Sequence, residues 1–275
     1  MAQNDKIKEL ADVLKRLSKT DNYQINIFPD ITPEIFDSKL GGLPYWTPDK
    51  KYPTNSDGKK LLLLTQINFD KENVDSPLPT NGMLQFFITD DIHMGMNYSN
   101  QTLQNNFRVI YHEKINYSIT KEMIESFNFP NSNEKTVQFF PIKNEYKIVL
   151  KKEIDNIKYG DIHLDNFFPV AYKEVFNKEA KKGRTYYDMF NYEERDRLNL
   201  GLENTCSNNK MLGYSKFTQE DPRYNKKYIE YDTLLLQIAS GQYVMWGDVG
   251  IGNFFIPKKS LLEKDFSNVL YNWDC

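Results

Sequence analysis

The sequence predicts one mainly antiparallel β domain (α+β) with an internal pseudo-duplication, a leading helix and a few short helices. Its central feature is a pair of similar apolar stretches: residues 61–67 followed by 82–88, and residues 231–238 followed by 252–256. Apolar runs of this length, bounded by turn residues, are typical of strands covered on both faces. Gly42 precedes Gln66 by the same distance as Gly213 precedes Gln237. We therefore expect residues 42–88 and 213–256 to superpose as an internal repeat.

The composition supports a sheet and excludes several classes of partner. Of the 275 residues, 40% are hydrophobic and 14% aromatic, with 18 Tyr and 18 Phe. Aromatic side chains of this abundance favour pleated, half-buried surfaces. The net charge is −3, which gives no basic footprint for nucleic acid. The longest aliphatic run, residues 61–64, is far short of the ~20 residues that span a bilayer. We expect neither a nucleic-acid partner nor a membrane partner.

The N-terminus and the cysteines predict a cytoplasmic location. Residues 1–5 contain no basic region followed by an apolar core, so we expect no signal peptide. Cys206 and Cys275 do not form a disulfide framework, and we expect both to stay reduced.

The elements follow in order along the chain. Apolar residues at three- and four-residue spacing predict a helix over residues 4–19 that packs on the domain. Alternation predicts a strand at 23–27, and five prolines predict a structured loop over 29–53. Further elements are predicted as follows: strands at 61–67, 83–89 and 107–112, a helix at 120–127 capped by Thr120, several aromatic-rich strands between 136 and 170, a helix at 192–198, and a last helix starting near Ser260.

Two glutamines interrupt the apolar strands at matched places. A buried amide needs partners for both of its ends. We expect Gln66 and Gln237 to tie the preceding glycine-bearing loops to the sheet; the alternative is that they face each other across a pseudo-twofold site. The strand residues Leu62, Leu64, Phe87, Leu235, Ile238 and Phe255 are expected in the core.

Several motifs resemble those of the YwqG-like family of bacterial proteins. They are Gly42-Leu43-Pro44-Tyr45-Trp46, Gln66-Ile67-Asn68-Phe69, Leu78-Pro79 through Gly82 to Ile88, Phe107 to Tyr111, Phe217 to Arg223, and Met245-Trp246-Gly247-Asp248-Val249-Gly250. The likeness extends from about residue 41 to residue 275. It implies a mostly antiparallel, roll-like β architecture with internal repetition, in a single YwqG-like domain over residues 1–275. It implies no particular activity.

No motif for a metal, a cofactor or a nucleophile stands out. The histidines at 93, 112 and 163 share no i, i+3 or i+4 spacing, although Asp90, Asp91 and His93 are a possible ion site or a solvated turn. A Gly-x-Ser-x-Gly elbow is missing, and the glycines at 247–252 fit neither the Rossmann nor the Walker spacing. We expect no metal and no cofactor.

One set of residues in the second repeat is a candidate ligand site. Its members are Gln219, Asp221, Arg223, Trp246 and Asp248. One aromatic body with several hydrogen-bonding groups is the mixture found in binding clefts. The structural alternative, which we favour, is that Asp221 pairs with Arg223 while Asp248 caps a turn.

These observations predict a non-catalytic binding or protein-interaction module whose partner is a protein or a small polar ligand. One alternative is an immunity-type protein that neutralises a toxin, for which an acidic groove would be the sign. Another is a hydrolase that uses carboxylates of the second repeat, such as Asp221 and Asp248.

Overall fold

The structure, a computed structural model, describes residues 3–203 and 208–275. Within these ranges the chain forms ten strands and six α-helices. The strands are β1 Thr20–Phe28, β2 Lys39–Leu40, β3 Leu62–Asn68, β4 Met83–Ile88, β5 Phe107–His112, β6 Tyr146–Asp155, β7 Lys210–Leu212, β8 Thr233–Ala239, β9 Ile251–Ile256 and β10 Leu270–Asp274. The helices are α1 Gln3–Leu17, α2 Lys121–Ser126, α3 Leu164–Phe176, α4 Tyr186–Met189, α5 Tyr192–Leu202 and α6 Lys258–Leu262.

All ten strands belong to one antiparallel sheet in the order β10-β9-β8-β7-β1-β6-β2-β3-β4-β5. The sheet curls into a nearly closed, barrel-like roll, which confirms the predicted mainly antiparallel β class. Its two edge strands approach each other through side chains, since the rings of Phe107 on β5 and Tyr271 on β10 lie 5.2 Å apart. The interior is the main core, where Phe86 and Phe254 meet at 5.0 Å.

The central strands β1 and β6 divide the sheet into two sides with the same pattern of pairing. On one side β2, β3, β4 and β5 follow β6, and on the other β7, β8, β9 and β10 follow β1. The β3–β4 register shifts around Leu64, and the β8–β9 register shifts around Leu235. A bulge of this kind bends a strand and sharpens its twist. The six residues expected in the core are buried, which confirms that prediction.

Helices α1, α3 and α5 form a layer with its own core, which joins the sheet through Ile157 after β6 and Tyr214 after β7. Helix α1 packs on α3 and α5, and its apolar stripe of Ile7, Leu10 and Leu14 is fully buried there. The prediction that this helix packs on the domain is confirmed. The predicted strands between residues 136 and 170 are wrong beyond β6, because Leu164, Phe168, Ala171 and Val175 recur with helical spacing and form the buried face of α3.

The N-termini of α2 and α6 were both predicted from capping residues in the sequence. Thr120 caps α2 as predicted, with its Oγ1 accepting a hydrogen bond from the Met123 N–H at 3.3 Å. Helix α6 begins at Lys258, two residues before Ser260, so the predicted last helix is confirmed. Pro257 fixes the entry, and Asp232 from a distant loop accepts from the Lys258 N–H at 2.8 Å, so a tertiary contact replaces the expected capping box.

Candidate functional site

A cleft lies between the helical layer and the second side of the sheet. Its floor comes from two segments: the loop after β6, residues 156–163, and the loop after β7, residues 213–221. Two cavities open along it, and Tyr159, Gly160 and Gln219 line both of them. We call them the lysine cavity and the tyrosine cavity.

The lysine cavity has a volume of about 220 Å³. Its lining residues are Asn22, Asp155, Lys158, Tyr159, Gly160, Asn199, Leu202, Glu203, Asn208, Lys210, Lys216, Phe217, Thr218 and Gln219. Polar groups from β1, β6, β7 and α5 therefore meet in one small space.

One carboxylate at the base of this cavity serves two buried lysines. Asp155 Oδ1 accepts from the Lys158 Nζ at 2.5 Å, and Oδ2 accepts from the Lys210 Nζ at 2.6 Å. Burial opposes the charge on Asp155, but Lys210 and Lys158 outweigh it and lower the pKa of the carboxyl group. Burial also lowers the pKa of Lys210, against the opposing effect of Asp155. With all three groups ionised, the cluster carries one surplus positive charge.

Two further polar groups at the cavity lack full compensation. The Oδ1 of buried Asn22 has no hydrogen-bond partner among the described residues. Lys216 reaches the Glu203 carboxylate only at 3.6 Å. Buried polar groups in native proteins are nearly always hydrogen-bonded, so an orphaned one calls for an explanation such as a bound molecule.

A second charged cluster lies behind the tyrosine cavity. The Nε of Arg223 donates to Asp221 Oδ1 at 2.9 Å and its Nη2 donates to Asp221 Oδ2 at 2.7 Å. The same Nη2 reaches Asp161 Oδ2 at 3.1 Å and Ser215 Oγ at 2.8 Å. All four side chains are at most 1% exposed. We call Asp161, Ser215, Asp221 and Arg223 the acid–arginine cluster.

The cluster fixes the loop after β6 against the loop after β7. Burial opposes the charge on Asp161, but Arg223 and His163 hold its pKa well below its usual range. Asp161 Oδ1 accepts from the His163 Nδ1 at 2.7 Å, which orients that ring. A bidentate guanidinium–carboxylate pair constrains geometry as well as charge. The cluster therefore sets the shape of the cleft floor.

The tyrosine cavity has a volume of about 570 Å³. Its lining residues are Tyr159, Gly160, Thr185, Tyr186, Tyr187, Gln219, Glu220, Asp221 and Tyr224. Four of these nine side chains are tyrosines, and two are acidic. The two cavities thus differ in both charge and aromatic content.

The five residues of the predicted ligand site occupy different environments. Gln219 and Asp221 line the tyrosine cavity together, and Arg223 lies behind them in its pair with Asp221. The ring of Trp246 is fully buried against Gly252 and Trp273. Asp248 is exposed in the turn between β8 and β9. Trp246 therefore presents no free face to a ligand.

The two strand glutamines have clear partners. Gln66 Oε1 accepts from the Tyr45 N–H at 3.0 Å, while its Nε2 donates to the carbonyls of Ile35 and Asp37. Gln237 Oε1 accepts from the Lys216 N–H at 2.7 Å, and its Nε2 donates to the Asn208 carbonyl at 2.7 Å. The prediction that these amides tie loops to the sheet is confirmed.

Comparison with known families assigns the chain. A family model described as "Domain of unknown function (DUF1963)" matches residues 38–275. The chain belongs to this family. The match covers the whole sheet except β1, and it contains both cavities apart from Asn22. No curated protein matches the chain.

Two further features of the described part of this DUF1963 chain concern metals and membranes. In residues 3–203 and 208–275, no group of three or more His, Cys, Asp or Glu side chains is placed to hold a metal ion. Over the same residues, no helix has the length and apolar character needed to cross a bilayer. Cys275 is a free, exposed thiol, whereas Cys206 lies outside the described residues.

Sequence reasoning missed most of the charged groups in the cleft. Lys210 had a signal, because it precedes Gln237 by the same distance as Lys39 precedes Gln66. A lysine repeated beside an apolar strand indicates a paired, buried charge. Asp155, Lys158 and Asp161 had no comparable signal in the sequence.

Proposed function

We propose that this protein binds a small polar ligand through an anionic group, and that the lysine cavity is the binding site. The observation that supports this most directly is the ratio of charges at the base of the cavity, where one carboxylate neutralises two buried ammonium groups. Carboxylates and phosphates are the anions that suit such a site.

The surplus charge favours an anion because both ammonium groups are buried. Lys158 and Lys210 are 7% and 2% exposed, so bulk water screens them little. Bringing an anion beside them would supply the missing counter-charge, and it would also offset the desolvation that lowers the pKa of Lys210. Charged pairs of this kind are strong when they are hydrogen-bonded and enclosed.

The remaining lining suits the rest of a polar ligand. Asn22 supplies an unsatisfied oxygen, and Gln219 lies at the passage between the two cavities. Phe217 and Tyr159 supply apolar surface. A pocket with few polar groups set among aromatic surface is typical of small-molecule sites.

Binding fits the geometry better than hydrolysis by Asp221 and Asp248. Both oxygens of Asp221 already accept hydrogen bonds, from Arg223 and from the Ile162 N–H. Asp248 is exposed in a turn, so the two carboxylates lie in unlike settings. A general base needs a free lone pair in a shielded place.

Three finer assignments accompany this proposal. Within DUF1963, the motifs of the chain support placing it with the YwqG-like proteins of bacteria, as a single domain. The matched pairings and bulges support a duplication of residues 42–88 and 213–256. The net charge of −3 supports a partner other than nucleic acid, and a chain with only two cysteines, 69 positions apart, fits the reducing cytoplasm.

Thermal unfolding and calorimetry in the presence of sodium phosphate or sodium acetate test the anion site. An anion that binds only the folded state stabilises it by about 2.7 kcal/mol at a hundred times its Kd. Lys158→Met removes the surplus charge and leaves Asp155 paired with Lys210, so we expect a folded variant that the anion no longer stabilises.

Lys39→Met is the matched control. It removes a buried lysine and the same unit of charge from the other side of the sheet, where Lys39 lies 3.6 Å from Glu145. We expect this variant to keep the full anion response. An equal response in wild type and the Lys158 variant, at matched ionic strength, would overturn the proposal.

A further inference from the structure

Four tyrosine rings line the tyrosine cavity. Tyr159 and Tyr186 meet edge to face with their centroids 5.2 Å apart. Tyr224 is 39% exposed and Tyr187 is 63% exposed, so these two rings stand at the open part of the cavity. The hydroxyls of Tyr186 and Tyr224 interact with each other, which fixes one wall. The four tyrosines therefore make a large part of the cavity wall aromatic.

We propose that the tyrosine cavity binds an organic ammonium group. The negative faces of aromatic rings attract cations, and recognition of ammonium groups by clusters of rings is a common functional use of this attraction. The cavity, at about 570 Å³, has room for such a group with a short substituent.

A cation already lies on one of these rings within the protein. The guanidinium carbon of Arg195 lies 3.9 Å from the centroid of the Tyr187 ring. The same residue donates from Nη1 to the Tyr187 carbonyl at 3.3 Å. This wall therefore stacks a cation on one face of Tyr187. The rings of Tyr159 and Tyr224, which are partly exposed, are left to meet a ligand, and the buried ring of Tyr186 supports them.

The charges around the cavity also favour a cation. Glu220 is exposed at the rim, and Asp221 lies in the wall. Behind the wall, the acid–arginine cluster sets two carboxylates against one guanidinium. Asp165 adds a third carboxylate, which interacts electrostatically with Tyr186 and Tyr224, and its buried Oδ1 has no hydrogen-bond partner among the described residues.

This site is separate in chemistry from the anion site. The lysine cavity carries surplus positive charge, whereas the tyrosine cavity has acidic groups and aromatic walls. Each proposal can therefore fail while the other stands, because the anion test uses phosphate and Lys158 and the cation test uses neither.

The decisive experiment compares choline with 3,3-dimethylbutan-1-ol, which has the same shape without the charge. Binding of each to the full chain is followed by calorimetry and by ligand-observed NMR, with sodium chloride matching the ionic strength. We expect choline to bind at least about tenfold more tightly than the alcohol. Equal binding of the two, or saturation by neither, would overturn the proposal.

A third ligand, n-butylammonium, distinguishes a site for quaternary ammonium compounds from a site for primary amines. Tighter binding of choline assigns the cavity to quaternary ammonium compounds, and tighter binding of n-butylammonium assigns it to primary amines. Either order supports an ammonium site, provided that both bind better than the neutral alcohol.

Three variants distinguish the roles of the Tyr224 ring and the Glu220 charge in binding from an effect on folding. Tyr224→Phe keeps the ring and should keep choline binding within about twofold, whereas Tyr224→Leu should weaken it by about tenfold. Glu220→Gln changes an exposed side chain, so it should fold normally and still weaken choline binding several-fold. Undiminished choline binding in a folded Tyr224→Leu variant and in Glu220→Gln would also overturn the proposal.

Discussion

Lys39 and Lys210 occupy equivalent places on the short strands β2 and β7, where each pairs with the glutamine of the next strand. Lys39 has one partner, the half-exposed Glu145, at 3.6 Å. Lys210 has Asp155 at 2.6 Å and shares it with Lys158. One backbone frame therefore holds a neutral pair on the first side and a positively charged cavity on the second.

Two glycines, each three positions after its lysine, show how closely the backbones of the two sides match. Gly42 and Gly213 both have positive φ angles, at 73° and 74°. A Cβ at Gly42 would collide with the Glu145 carboxylate, and a Cβ at Gly213 would collide with the Asp155 carboxylate. A positive φ and a close approach both require glycine. The backbone is thus shared between the two sides, and the extra lysine is what differs.

Of the substitutions that compare the two sides, removal of the Asp155 carboxylate should destabilise the protein most. Asp155→Ala leaves two buried ammonium groups without their carboxylate counter-charge, and breaking a buried pair typically costs about 3–5 kcal/mol. Glu145→Ala removes a longer contact to a half-exposed carboxylate and leaves one buried ammonium group, Lys39, in place of two, so it should cost less than Asp155→Ala. Denaturant unfolding of both variants measures the two losses. Equal losses would show that the two clusters have the same energetic role.

A second difference concerns pH and two matched positions on the outer strands. His112 on β5 pairs with Met83, the first residue of β4, and Asp274 on β10 pairs with Ile251, the first residue of β9. Lys50 can only donate, so the Nδ1 of His112 accepts from it at 3.0 Å and Nε2 donates to Gln85 at 2.9 Å. Burial, and then the charge on Lys50, lowers the pKa of His112 to about 4. The folded state therefore binds the proton less readily than the unfolded state.

The sign of the pH effect follows from that lowered pKa. His112 contributes fully to the free energy of unfolding above its unfolded pKa of about 6.5. This contribution, about 3 kcal/mol in all, is lost as the pH falls toward 4. His112→Gln does not titrate, so the difference in unfolding free energy between wild type and variant should fall across this window. A difference that is constant between pH 7 and pH 4 would contradict this account.

A third, smaller difference is expected for the two glutamines. The Gln66 amide serves three backbone groups, and the Gln237 amide serves two. Each buried group left unsatisfied costs about 1–3 kcal/mol. We expect Gln66→Ala to destabilise the protein by about 1 kcal/mol more than Gln237→Ala, as measured by denaturant unfolding. The reverse order would mean that the Gln237 contacts do more than tie a loop.

The sequence predicted the parts of this molecule that have a local residue pattern, and it missed those that do not. The apolar strands, the core residues and the loop-tying role of Gln66 and Gln237 follow from local pattern and from the cost of burying an amide. Helix α3 was missed because aromatic residues at 167–172 also suit a strand. The Asp155–Lys158–Lys210 cluster joins residues of β6, the following loop and β7, so its geometry exists only after the sheet has formed.

The smallest expected effect is at Asp274, the counterpart of His112. Burial raises the pKa of Asp274 against the opposing hydrogen bonds from the Gln219 and Thr218 N–H groups, and its Oδ1 has no hydrogen-bond partner among the described residues. A raised acid pKa means that this carboxyl group stabilises the fold only below its unfolded pKa and loses that contribution as the pH rises through its folded pKa. Asp274→Asn keeps an oxygen to accept both N–H groups and removes the charge. We therefore expect a gain of no more than about 0.5 kcal/mol at pH 7 and none near pH 3, measured by urea unfolding at the two pH values. A clear loss at pH 7 would show that the ionised carboxylate is needed there, and that the two matched positions do not share a preference for a neutral side chain.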